Sequence, residues 1–189
     1  MTMKEIVAFV GHHGSGKDYN CKRLVATGYK KLAFADPLRA IFFGMLGMSE
    51  DEGNKRYDEL RKTVIFRDGD RCVTGKMMIE RLGAEGIRKY DDKFLVKCLL
   101  KEIDRLPSGS NVCISDLRVP AEYLELKRFA EDRGSVLKVI FCNYRSGRYD
   151  ASAGHSTLRL PDFLLTRGYK DGDVVSNADM QEFCSLANT

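Results

Sequence analysis

Residues 11–18, Gly11-His12-His13-Gly14-Ser15-Gly16-Lys17-Asp18, follow an apolar run at 6–10 and lead directly into a helix-forming stretch. The spacing G-x-x-x-x-G-K fits the Walker A pattern, which dictates a strand, a tight glycine turn and a helix in that order. In such a loop glycines let backbone N–H groups converge on phosphate oxygens. The lysine neutralises their charge, and the following helix presents its positive N-terminal end. Asp18 stands where Ser or Thr is usual; a carboxylate there can still bind a hard, oxygen-seeking cation, directly or through water.

At 189 residues the chain is long enough for one domain with a substantial core, and two full domains would be cramped. Its 43% hydrophobic and 31% charged residues are those of a globular protein, and no apolar run approaches the roughly 20 residues needed to cross a bilayer. Lys4 and Glu5 interrupt the N-terminus before any signal-peptide core could form, so a cytoplasmic location is expected. The net charge of +4 is modest and the basic residues are interspersed with acids, which favours small anionic ligands over a nucleic-acid surface or a membrane. Six cysteines lie scattered without a C-x-x-C pair, several in apolar surroundings, and read as buried free thiols.

Along the chain the elements alternate as in an α/β protein. Strands are expected at 6–10, 31–35, 112–115 and 136–142, with a last short one around Val174 and Val175. Helices are expected at 18–27, from Asp36-Pro37 onward, at 74–82, from Asp91 or Asp92 to 106, at 120–133 and at 178–186. Cys21, Leu24 and Val25 form the apolar face of the first helix, and Leu38, Ile41, Phe42 and Met45 that of the second, with Asp36 as its N-cap. Residues 47–61 read as polar surface, and Asp68-Gly69 as the turn of a hairpin over 64–73. Asp116 follows the strand at 112–115 at once. Ligands of open parallel sheets bind outside the carboxyl ends of the strands, so Asp116 can hold a metal's water shell and Arg118 can pair with phosphate. The stretch 143–159 is rich in Arg, Ser and Gly and reads as a lid carrying the catalytic candidates Arg145 and Arg148.

Four segments in this order and spacing resemble the deoxynucleoside monophosphate kinases of tailed bacteriophages. They are Gly14-Ser15-Gly16-Lys17-Asp18, Phe34-Ala35-Asp36-Pro37-Leu38-Arg39, Arg81-Leu82-Gly83-Ala84-Glu85-Gly86-Ile87-Arg88 and Ile114-Ser115-Asp116-Leu117-Arg118. Asp18 is normal for that family; Tyr19 departs from it, since a threonine is common there. The resemblance implies an α/β P-loop kinase fold over 1–189: a central parallel five-stranded sheet flanked by helices, an acceptor-nucleotide insertion at 40–90 and a lid at 143–160. It implies transfer of the γ-phosphoryl of ATP to a deoxynucleoside monophosphate with Mg²⁺, and a homodimer in the cytoplasm of an infected bacterial host.

Carried over residue by residue, the resemblance makes Lys17 catalytic and assigns ATP to His13, Gly14, Ser15, Gly16, Lys17, Asp18 and Tyr19, with Asn177 against adenine. Asp18 and Asp116 serve Mg²⁺, and the acceptor is met by Asp36, Arg39, Arg81, Arg88, Asp116 and Arg118. Arg81 and Arg88 are seven apart and could share a face if the helix ran unbroken, but Gly83 and Gly86 speak against continuity. An ionised phosphate acceptor demands no dedicated general base.

Two other small-molecule kinases share parts of this pattern. Animal-type phosphomevalonate kinase has a Ser-Gly-Lys-Asp loop, and dephospho-CoA kinase has the overall plan; neither accounts as well for the segment 81–88. A nucleotide-dependent switch or motor is the other class, but the chain has no Asn-Lys-x-Asp for guanine and no Glu after Asp116. A binding protein without catalysis would have little reason to keep Lys17, Asp116 and the lid arginines together.

Overall fold

Five of the six residues of β1 (Glu5–Val10) are buried, from both faces of the strand, and this burial makes it the centre of a parallel sheet. The computed structural model describes residues 5–143 and 160–187. β1 pairs in parallel with β5 (Val112–Ile114) on one side and β6 (Val136–Phe141) on the other, and β5 pairs in parallel with β2 (Lys30–Leu32). The order is β2-β5-β1-β6. In register, Ala8 lies opposite Ile114, Leu32 opposite Ile114 and Val10 opposite Phe141, so all four strands end along one edge.

Chain contacts divide the protein into two compact units, Met1–Phe34 with Leu99–Thr189 and Ala35–Cys98. The first contains the sheet and its flanking helices α1 (Lys17–Val25), α7 (Pro120–Asp132), α8 (Leu160–Thr166) and α9 (Asn177–Leu186). Under α1, Val7, Phe9, Cys21, Cys113 and Cys142 form a buried cluster, in which small thiols let the helix lie close to the strands. Leu126, Tyr123, Met180 and Phe183 on α7 and α9 are fully buried or nearly so, and each large apolar side chain contributes about 1.5–3 kcal/mol by leaving water. The second unit holds α2 (Asp36–Met45), α3 (Glu50–Leu60) and an antiparallel hairpin of β3 (Val64–Asp68) and β4 (Arg71–Thr74). It continues through α4 (Gly75–Arg81), a π-helical segment (Leu82–Ile87) and α5 (Arg88–Tyr90). The boundary between units falls within α6 (Phe94–Arg105).

Several expectations are corrected. Among the described residues the main sheet has four parallel strands, not five. The segment at Val174 makes only a bridge to Ile140, and it runs antiparallel, because Gly172 (φ +87°) turns the chain back along β6. Asp36 is the first helical residue of α2, not its N-cap: Ala35 already has helical dihedrals, and the Asp36 carboxylate pairs with Arg39 at 2.8 Å instead. Of the expected apolar stripe Ile41 and Met45 are exposed, and Phe43 is buried in their place, its ring seated where a Cβ on Gly53 of α3 would come within 2.3 Å. Residues 47–61, read as polar surface, are mostly exposed as expected, and 50–60 of them form α3, started by the Ser49 hydroxyl accepting the Glu52 N–H. Among the described residues no helix is long and apolar enough to cross a membrane.

Candidate functional site

The loop after β1 is shaped by three glycines with positive φ, Gly11 (+156°), Gly14 (+77°) and Gly16 (+92°). Gly11 is the tightest. A Cβ there would stand 2.2 Å from the Cys142 carbonyl oxygen and 2.5 Å from Ser15 Oγ, so a side chain would collide with the end of β6. Gly16 caps α1 in the left-handed conformation, which aims the N–H groups of the first helical turn, which have no intrahelical acceptors, back toward the loop. Lys17 opens the helix. Its ammonium donates to the carbonyls of Gly11 (2.7 Å) and His12 (2.5 Å) and to Ser15 Oγ (3.4 Å). The buried Ser15 returns its own N–H to the His12 carbonyl at 3.2 Å. Burial lowers the Lys17 pKa to about 8, and the charge of Arg118 adds to the shift while Asp18 and Asp116 oppose it. That balance brings Lys17, Asp18, Asp116 and Arg118 into one electrostatic neighbourhood.

The two carboxylates in that neighbourhood are already engaged. Asp18, in the first turn of α1, forms a 2.6 Å ion pair with Lys31 at β2. Asp116 accepts the Phe34 N–H at 2.9 Å, tying the turn after β5 to the segment after β2. Arg118 is exposed, and its backbone is held by a residue absent from the sequence reading: Glu122, only 2% exposed, accepts the N–H groups of Arg118 (2.8 Å) and Val119 (3.2 Å). The signal was present, since a Glu two residues after the helix-opening Pro120 occupies the N3 position from which an acid reaches back to cap. His13 and Tyr19 are exposed beside the loop. The imidazole Nε2 of His12 lies 3.0 Å from Asp162 Oδ1 on α8. Asn177 opens α9, capped by Ser176, and its side-chain oxygen accepts the Tyr123 hydroxyl at 3.1 Å; burial pushes that phenol up to about 12. Arg145 and Arg148, with most of the expected lid, lie outside the described residues.

In the second unit Arg39 is fixed twice, by Asp36 at 2.8 Å and by stacking 4.8 Å above the Tyr57 ring, which also carries Arg61 at 6.0 Å. Arg81 reaches Glu85 at 4.0 Å, and both help line a cavity of about 390 Å³ with Phe42, Phe66, Met78 and Leu82. The helix does not break at Gly83 and Gly86. It passes into a π turn, and because π turns hold more residues than α turns, Arg81 and Arg88 leave the two-turn register that would align them. Gly83 permits the turn to sit on Leu38, whose Cδ1 a Cβ would approach to 2.9 Å. Among the described residues no three His, Cys, Asp or Glu side chains gather as metal ligands.

No protein-family model and no curated protein matches the chain. Among solved structures it is similar to one described as a "putative kinase" from Chloroflexus aurantiacus J-10-fl, with a TM-score of 0.41 and 17% identity over 97% of this chain and 76% of that one. A likeness of that degree fixes neither fold nor chemistry.

Proposed function

We propose that the protein is a kinase that transfers the γ-phosphoryl group of ATP to the phosphate of a deoxynucleoside monophosphate. The observation that carries this reading is the position of Lys17: a partly buried ammonium held by the carbonyls of a glycine loop at the carboxyl edge of a parallel sheet. That is the place where an α/β sheet collects phosphates, and there the lysine can turn from the loop carbonyls to phosphate oxygens. The first-turn N–H groups of α1 would share the negative charge. The acceptor class comes from the resemblance of the motif set to the bacteriophage enzymes.

In the reaction an oxygen of the acceptor's phosphate forms a bond to Pγ as the bond from Pγ to the β-bridging oxygen breaks, and ADP leaves with that electron pair. The protein's task is to hold two anions in line. Lys17 neutralises the donor phosphates, with Arg118 adding positive charge nearby. Arg39, oriented by Asp36 and Tyr57, is a ready partner for the acceptor's phosphate, as are Arg81 and Arg88. Mg²⁺ would need one or two carboxylates besides the phosphates themselves, and Asp18 and Asp116 meet that requirement without an all-protein ligand cluster. It would supply charge neutralisation at the bridging oxygens. Asp18, which pairs with Lys31, and Asp116, which accepts the Phe34 N–H, would hold its water shell.

Substituting Lys17→Met removes the ammonium while keeping the length of the side chain. Turnover should fall at least about 10²-fold with the far-ultraviolet circular dichroism unchanged; turnover equal to the wild type would remove Lys17 from the mechanism.

A further inference from the structure

His12 contributes to the loop in two ways at once. Its carbonyl accepts both the Lys17 ammonium (2.5 Å) and the Ser15 N–H (3.2 Å), so its backbone sets where Lys17 rests. Its buried imidazole Nε2 lies 3.0 Å from Asp162 Oδ1 on α8, an ion pair when the ring is protonated and outside hydrogen-bonding geometry, with the His12 side chain 22% and that of Asp162 36% exposed. α8 is a firm anchor: Leu160, Phe163 and Leu164 are buried, and Phe163 packs on Phe183 of α9 with ring centroids 5.7 Å apart. A side chain tied at mid-loop to a separate packed helix restricts the φ and ψ of His12, and with them the direction of its carbonyl.

We propose that the His12–Asp162 pair is a positioning device for the nucleotide loop, which holds it in the conformation that receives the ATP phosphates. This rests on the kinase reading above and names two residues, His12 and Asp162, to which the motif pattern gives no role. Without the tie, ordering the loop is charged against nucleotide binding, so the loss falls on ATP affinity and leaves the chemical step of the bound complex almost unchanged.

The test compares the wild type with H12Q, D162N, the double variant and D162E. Each is measured for steady-state kinetics with ATP and an acceptor, for binding of a non-hydrolysable ATP analogue by calorimetry, and for melting temperature. Expected are a rise of about three- to tenfold in both the ATP KM and the analogue Kd for either single variant, with kcat within about twofold. The double variant should be no worse than the singles, and D162E should recover most of the affinity. Single variants with wild-type affinity, or additive losses in the double variant, would overturn the positioning role while the kinase reading stood. A lower melting temperature with unchanged analogue affinity would also overturn it, since the pair would then be structural only. A wild-type protein that neither binds the analogue nor turns over ATP would overturn the kinase reading, and this inference with it.

Discussion

Replacing Gly11 by alanine adds one methyl group at the point where the loop crosses the end of β6. The new Cβ would sit 2.2 Å from the Cys142 carbonyl oxygen, a backbone atom held by the sheet, and 2.5 Å from Ser15 Oγ, at a φ of +156° that side chains avoid. The backbone strain is worth about 1–3 kcal/mol, and forcing apart well-packed atoms costs about 1–3 kcal/mol more. The sum, roughly 2–6 kcal/mol, is a large share of the roughly 5–15 kcal/mol by which domains are stable. Gly14 supplies the control: its φ is +77°, but a Cβ there meets no atom within 4 Å, so G14A should cost only about 1–2 kcal/mol. Because the chain has no tryptophan, urea unfolding is followed by circular dichroism. With a slope of about 2–3 kcal/mol per M, the G11A midpoint should drop by about 0.7–3 M and that of G14A by about 0.3–1 M. Equal midpoints for the two variants would refute the claim that crowding against Cys142, and not φ alone, demands glycine at 11.

Lys17 makes stability depend on pH with a definite sign. Its pKa falls from 10.5 to about 8 on folding, chiefly through burial, so between those values the unfolded chain binds more protons and folding becomes more favourable as pH rises. Below pH 8 the penalty of burying the charge is fully present; K17M lacks it, so its stability relative to the wild type should decline steadily from pH 8 to 10.5, as measured by parallel urea titrations. A difference independent of pH would contradict the burial of the ammonium. Because phosphates favour the charged form, the affinity for ATP should also weaken as pH climbs past about 8, which calorimetry in buffers of different pH would register. Glu122→Ala leaves the N–H groups of Arg118 and Val119 without their acceptor and should cost about 2–3 kcal/mol, while Glu122→Gln, which retains a carbonyl oxygen, should cost less than half as much; equal losses in thermal melts would remove the capping role.

The sequence exposes the core of this fold where apolar runs and the period are plain. The strands at β1, β5 and β6 and the helices α1, α7 and α9 lie within a few residues of their expected bounds, because apolar runs and cap residues such as Pro120 and Gly134 are local signals. What fails is decided by distant contacts. Whether Phe43 or Met45 of α2 is buried depends on where Gly53 of α3 leaves room, and no periodicity records that. The fifth parallel strand expected, which is not among the described residues, is similar: Val174 and Val175 have strand propensity, but the turn at Gly172 sends them antiparallel along β6. In the candidate site, the glycines, Lys17 and Asp116 are legible from spacing. The pairing of Asp18 with Lys31, the buried Glu122 and the contact of His12 with Asp162 join residues 13, 4 and 150 positions apart, and only the middle one left a mark, as the acid of a helix first turn.

The central claim is tested most directly by coupled ADP release with ATP, Mg²⁺ and, one at a time, dTMP, dGMP, dCMP, dAMP, their ribose counterparts and phosphomevalonate. Turnover that requires a deoxynucleoside monophosphate and disappears in K17M is the predicted result. Turnover with phosphomevalonate alone, or ATP binding with no acceptor in the panel phosphorylated, would contradict it.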